Sequence, residues 1–134
     1  MLKAWEFPNL GTVDFDIKNM DLMISEAQRS SHGKGYRAVT YAAFALSLMT
    51  YCVNKGHPHP GFVVLDSPLT PFRSVDEKKD AADEIPFSME NAFFSNLSSI
   101  SSQHQIIIFE NKEPSQEVRS LINFVHFSGN PTVG

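Results

Sequence analysis

The fold class is predicted mainly from one stretch of the sequence, Phe62-Val63-Val64-Leu65-Asp66-Ser67-Pro68. Its apolar run, Phe62 to Leu65, ends at an aspartate, and a second apolar run, Ile106 to Phe109, ends at Glu110. Short continuous apolar runs predict strands that are buried on both faces, as in a parallel sheet. Parallel strands need a crossover element, and apolar residues at helical spacing lie between the two runs. These residues are Met89, Ala92, Phe93, Leu97 and Ile100.

The residues before the first run predict a helix and a hairpin. From Ala38 to about Asn54 the chain is apolar on nearly all sides and has no glycine or proline, so we expect a helix that is buried on most of its surface. Gly56 follows where a helix is expected to end. Further upstream, residues 13–17 alternate between apolar and acidic, and an apolar run, residues 22–24, follows a plausible turn. This pattern indicates an N-terminal β-hairpin.

Two later segments have a weaker pattern. Ser67 to Pro86 contains three prolines and the charged run Asp76-Glu77-Lys78-Lys79-Asp80, which predicts a loop with a short solvated helix. Val118 to Phe127 is mostly apolar and is expected to form a strand or a helix. Together the patterns predict an α/β fold in one unit, residues 1–134. We expect a mostly parallel sheet with flanking helices and the N-terminal hairpin.

Composition narrows the function classes. The chain has 134 residues, which is the size of one domain or of one lobe of a larger domain. A single cysteine, Cys52, excludes an internal disulfide and a zinc-finger pattern. The net charge of −4 argues against a generally basic nucleic-acid binder. Because no secretory leader or membrane-spanning stretch is visible, we expect a cytoplasmic protein without a membrane partner.

The turn from Ser30 to Arg37 combines two glycines with two basic residues. It lies within an acid-free segment, Ala27 to Leu65, which indicates either a local anion site or a buried helix that excludes carboxylates. Gly33 and Gly35 would let the backbone approach a ligand closely, and the positive end of the following helix favours phosphate. A plain structural turn explains the same residues. The P-loop pattern Gly-x-x-x-x-Gly-Lys-Ser/Thr does not occur in the chain.

Polar residues end both apolar runs. Asp66 would lie at the carboxyl end of a parallel strand, where α/β sheets bind ligands, and such an aspartate can hold Mg²⁺ beside a nucleotide or simply cap the next turn. Glu110 would face the same edge, either as a catalytic group or as a cap of the following loop. His57 and His59 could bind a metal, but a third ligand is not nearby and the adjacent prolines favour a surface loop.

Taken in order, these pieces resemble the C-terminal lobe of an ABC-type ATPase head, closest to the SMC-like and RecN-like DNA-repair ATPases and their phage-defence relatives. The resemblance covers about residues 15–114. His32 to Arg37 resembles the family's signature motif, and Phe62 to Pro68 resembles its Walker B segment. In that family the signature turn contacts the γ-phosphate of ATP bound by the opposite protomer. The residues that this implies for phosphate binding are Ser31, Gly33, Lys34, Gly35 and Arg37.

The resemblance also implies catalytic positions and shows departures from the family pattern. Asp66 would position Mg²⁺ and water, and it is the one metal ligand implied. Ser67 stands where the family has its catalytic glutamate, and a serine is no general base at neutral pH without an activator. Glu110 occupies the place of the switch histidine, and Gly33 replaces the signature serine. The Walker A lobe is absent from these residues, so we expect a C-terminal fragment or a split subunit.

Three functions follow as hypotheses. The first is the C-terminal nucleotide-binding lobe of an SMC-like ATPase, which hydrolyses ATP with Mg²⁺ only beside a Walker A-containing lobe or protomer and meets DNA through the full assembly. The second is a non-catalytic dimerisation or interaction module with a degenerate ATPase fold. The third is a metal-dependent nuclease that uses Asp66, Glu110 and the histidines. A lone lobe should expose apolar sheet surface, so we also expect a homo-oligomer.

Overall fold

The computed structural model describes residues 1–69, 85–100 and 104–128. Its strands are β1 (Val13–Asp16), β2 (Asp21–Ile24), β3 (Ala27–Gln28), β4 (Phe62–Asp66) and β5 (Gln105–Phe109). Its α-helices are α1 (Lys34–Lys55), α2 (Phe87–Ser98) and α3 (Gln116–Arg119). The described part of the chain therefore forms a mixed α/β fold. None of its helices is long and apolar enough to cross a membrane.

The predicted N-terminal hairpin is confirmed. β1 pairs antiparallel with β2, with Phe15 opposite Leu22, and β3 adds a short third strand that the sequence pattern did not indicate. The turn is stabilised by Asp16, whose Oδ1 accepts hydrogen bonds from the backbone N–H groups of Lys18 at 2.9 Å and Asn19 at 3.1 Å. A carboxylate that bonds the backbone two residues on is a common device for closing a turn.

The predicted long helix is confirmed, and it ends as expected. Gly56 adopts the left-handed conformation (φ 68°) and donates its N–H to the carbonyls of Cys52 and Val53. Glycine suits this position because a side chain there would strain the backbone. The prediction of burial on most sides is wrong. One face is buried, whereas four large side chains on another face are exposed: Tyr41, Phe44, Leu48 and Tyr51.

The two apolar runs pair as parallel strands, as predicted, with Val64 opposite Ile107. Burial on both faces, however, is wrong. Leu65 is buried, and Val63, Ile106 and Ile108 are partly buried against the core. The opposite face of the pair exposes four large apolar side chains, Phe62, Val64, Ile107 and Phe109. Among the described residues, the core therefore covers only one face of the pair.

The prediction of one mostly parallel sheet is also wrong, because the described strands form two separate sheets. One is the parallel pair β4–β5, and the other is the antiparallel sheet β1–β2–β3. The crossover helix predicted from residues 89–100 is confirmed as α2. The element predicted for Val118 to Phe127, a strand or a helix, forms only at its start. Val118 and Arg119 belong to α3, and residues 121–128 have no regular structure. The charged run 76–80 lies outside the described residues.

The N-terminal segment completes the hydrophobic core. Trp5 is fully buried, and its ring meets the Phe93 ring edge-on at a centroid distance of 4.7 Å. Its indole Nε1 donates a hydrogen bond to Oδ1 of Asn96 at 2.9 Å. Leu2 and Phe7 of the same segment are also buried. The first residues of the chain thus pack against the crossover helix α2, a contact that sequence periodicity did not reveal.

Candidate functional site

The carboxyl ends of β4 and β5 lie side by side, so Asp66, the last residue of β4, and Glu110, which follows β5, lie at one sheet edge, as expected. Asp66 is in register with Phe109, and the parallel ladder continues for one further bond. In that bond the backbone N–H of Ser67 donates to the carbonyl of Phe109 at 2.7 Å. Asp66 is exposed, which leaves its carboxylate accessible to solvent and to ligands.

Ser67 holds an unusual backbone conformation. Its φ is 49°, in the left-handed region that residues with a side chain enter rarely. Its hydroxyl donates to Oδ1 of Asp66 at 3.0 Å. Ser67 thus directs its hydroxyl at the aspartate, and this hydrogen bond orients the Asp66 carboxylate.

Glu110 acts as a clamp between the two loops that leave the sheet. Its Oε2 accepts a hydrogen bond from the backbone N–H of Leu69 at 2.7 Å, across the sheet edge. Its Oε1 accepts from the N–H of Asn111 at 2.8 Å. The sequence predicts either a catalytic group or a cap of the following loop at Glu110, and these hydrogen bonds are those of a cap. An ionised carboxylate has about four lone-pair sites, so Glu110 keeps capacity for a further donor.

The glycine-containing turn joins the 3₁₀ turn Arg29–Ser31 to the start of α1. Gly33 is the N-cap of the helix and makes no side-chain capping bond, and the first helical turn carries no acidic residue. Gly33 has a φ of −56°, so it does not need the left-handed freedom of glycine. Gly35 is buried in the first turn. Because the first turn of α1 contains no acidic residue of its own, its positive end is electrostatically suited to an anion.

Side chains of this turn also bond to the turn itself. The hydroxyl of Ser31 donates to the carbonyl of Gln28 at 2.7 Å, and Nη1 of Arg37 donates to the carbonyl of Ser30 at 3.3 Å. Lys34 and Gly35 lie in the first turn of α1. The residues expected to bind phosphate are therefore brought together at one end of α1.

Arg29 forms an ion pair with a residue of the hairpin. Its guanidinium makes two hydrogen bonds to the carboxylate of Asp21, at 2.7 and 3.0 Å. The hydrogen bond from Arg29 is the main cause that lowers the pKa of Asp21 below its ordinary value. This ion pair links β2 to the turn that precedes α1. Arg29, one of the basic residues of the acid-free segment Ala27 to Leu65, is thus paired with Asp21, which lies outside that segment.

The histidines have other partners. Nδ1 of His59 accepts the backbone N–H of Gly61 at 3.0 Å, and the His57 ring stacks on Tyr51 at a centroid distance of 5.8 Å. Within residues 1–69, 85–100 and 104–128, no group of three His, Cys, Asp or Glu residues is arranged to hold a metal ion. The nuclease hypothesis therefore has no assembled ligand set in the described part of the chain.

A cleft of about 830 Å³ opens beside β5. It is lined by residues of α2, by β5 and by the irregular segment 121–127, and Glu110 is also among its lining residues. The sequence interpretation did not anticipate this cleft, although the apolar residues after Arg119 gave a compositional signal.

Comparisons of the chain with models of known protein families, with curated proteins and with solved structures found no match.

Proposed function

We propose that the chain is the C-terminal nucleotide-binding lobe of an SMC-like ABC-type ATPase that acts in DNA processing or repair. In this proposal it contributes a signature-like turn and a Walker B-like strand to a composite ATP site. The observation that carries the proposal is the parallel alignment of β4 with β5, which follows a long helix and sets Asp66 and Glu110 at one sheet edge. Ligands of α/β folds bind outside the carboxyl ends of parallel strands.

Each site residue has a stated role in this proposal. Asp66 would hold Mg²⁺ and water, and the metal would supply neutralisation of the charge that develops on a transferred phosphoryl group. Ser67 orients the Asp66 carboxylate through its hydroxyl. Glu110 positions the loop after β4 and offers a free acceptor site to water. The turn around Gly33, with its neighbours Ser31, Lys34, Gly35 and Arg37, contacts the γ-phosphate of ATP that another protomer binds.

The uncovered face of the parallel pair supports a missing partner lobe. Phe62, Val64, Ile107 and Phe109 are between 37% and 53% exposed, yet parallel strands are normally covered on both faces. A Walker A-containing lobe or protomer would bury this apolar surface and complete the ATP site. The assembly would be cytoplasmic and would contact DNA through parts other than these residues.

A non-catalytic interaction module is the second candidate, and the geometry of two residues favours it. Ser67 stands at the catalytic position and directs its hydroxyl at Asp66. Both oxygens of Glu110 accept backbone hydrogen bonds. In this alternative the ATPase-like edge is retained to hold the loops together, and the partner binds without nucleotide.

Nucleotide-dependent association separates the two candidates. The chain is mixed with a purified Walker A-containing lobe of an SMC-like ATPase from the same source, and association and phosphate release are measured with and without Mg²⁺–ATP. The ATPase proposal expects association that needs ATP and is weakened by Asp66→Asn, with the exposed β1 variant Asp14→Asn as the matched control. Association of equal strength without ATP would favour the module. Appreciable ATP hydrolysis by the chain alone would contradict the division of the site between two lobes.

A further inference from the structure

The outer face of α1 carries a regular apolar stripe. The exposed side chains Tyr41, Phe44, Leu48 and Tyr51 are 60%, 37%, 45% and 55% exposed. Their spacing of three, four and three residues is that of the contact positions of a coiled coil. A helix with this spacing packs against another helix at a shallow angle. A second helix is therefore a partner that fits this spacing.

The flanks of the stripe carry no charge that would select a foreign partner. In coiled coils, charged residues beside the contact positions choose the partner and its orientation. Here the corresponding positions are Ala45, Ser47, Cys52 and Asn54, and the chain between Arg37 and Lys55 has no charged residue at all. Small side chains at residues 45 and 47 also allow close approach of a second helix. A second copy of the same uncharged helix meets no electrostatic penalty.

The stripe is symmetric about its own midpoint. When a second α1 is laid antiparallel, the spacing three–four–three aligns Tyr41 with Tyr51 and Phe44 with Leu48, twice over. Such self-complementarity is the condition for a two-fold symmetric interface. Antiparallel helices also oppose their macrodipoles favourably. Both arguments select a second copy of this chain in antiparallel orientation.

The hairpin extends the surface. The Phe15 ring stacks on the Phe44 ring at a centroid distance of 6.2 Å with an interplanar angle of 17°, and Val13 lies on the same face of β1. If the exposed fractions of these six residues were covered completely, at most roughly 550 Å² per copy would be removed from solvent. Two copies would bury at most about 1,100 Å², which is close to the area of about 1,000 Å² that a specific interface needs.

We propose that α1 forms a symmetric antiparallel dimer through Tyr41, Phe44, Leu48 and Tyr51. An area at the low end for specific interfaces is typical of a weak, reversible dimer. This inference does not rest on the proposed nucleotide function, because the stripe uses none of the residues of the sheet edge. It can therefore fail while the ATPase proposal stands, and the reverse also holds.

Sedimentation of the chain without nucleotide tests the dimer. Wild type is expected to show concentration-dependent dimerisation, and Leu48→Glu is expected to weaken it at least tenfold because a carboxylate would lie in the interface. Val64→Glu makes the same change on the exposed face of the parallel pair, so it is the matched control and should leave the dimer intact. Circular dichroism checks that each variant retains its helices.

Cross-linking provides a readout that survives a folding failure of Leu48→Glu. In a Cys52→Ser background, the variants Tyr41→Cys and Tyr51→Cys are mixed and treated with a short bismaleimide. For equal amounts of the two variants, random pairing gives the mixed 41–51 product at twice the yield of each like-with-like product, and the antiparallel dimer predicts a mixed product well above that twofold excess. A monomer at all concentrations, a dimer broken by Val64→Glu rather than Leu48→Glu, or a mixed product no higher than the twofold excess of random pairing would overturn the proposal.

Discussion

The variant Glu110→Gln tests whether the Glu110 carboxylate stabilises the sheet edge through its hydrogen bonds or has only a catalytic role. In the folded chain the two oxygens of Glu110 accept from different backbone donors, Leu69 N–H at 2.7 Å and Asn111 N–H at 2.8 Å. Glutamine has nearly the same shape but only one acceptor oxygen, and it brings an NH₂ group that can accept nothing. One backbone N–H therefore loses its partner or bonds to water.

The cost follows from the kind of bond that is lost. A hydrogen bond to a charged group contributes about 1.5–3 kcal/mol, and a neutral one about 0.5–1.5 kcal/mol. Because Glu110 is half-buried, water recovers part of the loss. We therefore expect Glu110→Gln to reduce the free energy of unfolding by about 1–2 kcal/mol. Glu110→Ala, which removes both acceptors, should cost about 2–4 kcal/mol on the same basis.

Urea denaturation followed by circular dichroism measures these differences. The midpoint should fall while the slope stays constant, since the amount of surface exposed on unfolding does not change. Glu6→Gln is the matched control, because Glu6 is exposed and the substitution removes the same charge. If Glu110→Gln unfolds at the same urea concentration as wild type, the clamp contributes nothing and the structural argument for Glu110 is refuted.

Three further changes test other parts of the fold. Trp5→Ala should reduce the free energy of unfolding by about 3–5 kcal/mol because it empties a fully buried site, whereas Phe87→Ala, at a 75% exposed position, should change it little; urea denaturation measures both. Ser67→Val should destabilise by about 1–2 kcal/mol because a β-branched side chain opposes the left-handed φ of 49°, while Ser67→Gly should be tolerated in the same assay. Arg29→Gln should raise the pKa of Asp21 toward 3.8, as followed by carboxyl NMR titration. The folded pKa of Asp21 is lowered, so its stabilisation is present above the unfolded pKa and disappears as the pH falls through the folded value; an unchanged titration would contradict the ion pair.

Local patterns predicted the elements well. The alternation in residues 13–17 gave β1, the long apolar run ending at Gly56 gave α1, and the helical spacing from Met89 gave α2. Each of these signals depends on residues close together in sequence, which set the side-chain period and the caps. The parallel pairing of β4 with β5 also followed, because a helix separates two apolar runs.

Burial could not be predicted in the same way. The run Phe62 to Leu65 looks doubly buried, but which face is covered depends on other elements that the run itself does not encode. The same holds for α1, where the apolar residues Tyr41 and Leu48 point outward while Leu46 is buried. Hydrophobicity reports that a face favours burial, and it does not report whether a partner is present.

Contacts between distant residues were the other gap. Trp5 bonds to Asn96, 91 residues away, and Glu110 bonds to Leu69, 41 residues away. Neither pair belongs to a periodic pattern, and both depend on how the elements pack. The sequence placed Glu110 at the correct sheet edge, whereas its bonding partners became visible only in the fold.

We propose above that Asp66 and the turn before α1 form half of a shared ATP site. The most direct test measures association of the chain with a Walker A-containing lobe as ATP is titrated at constant Mg²⁺. A shared ATP site predicts association that saturates with ATP and that weakens strongly for Asp66→Asn or Arg37→Ala, whereas Asp14→Asn should associate as strongly as wild type. Association that is the same with and without ATP, or equally strong in all three variants, would contradict it.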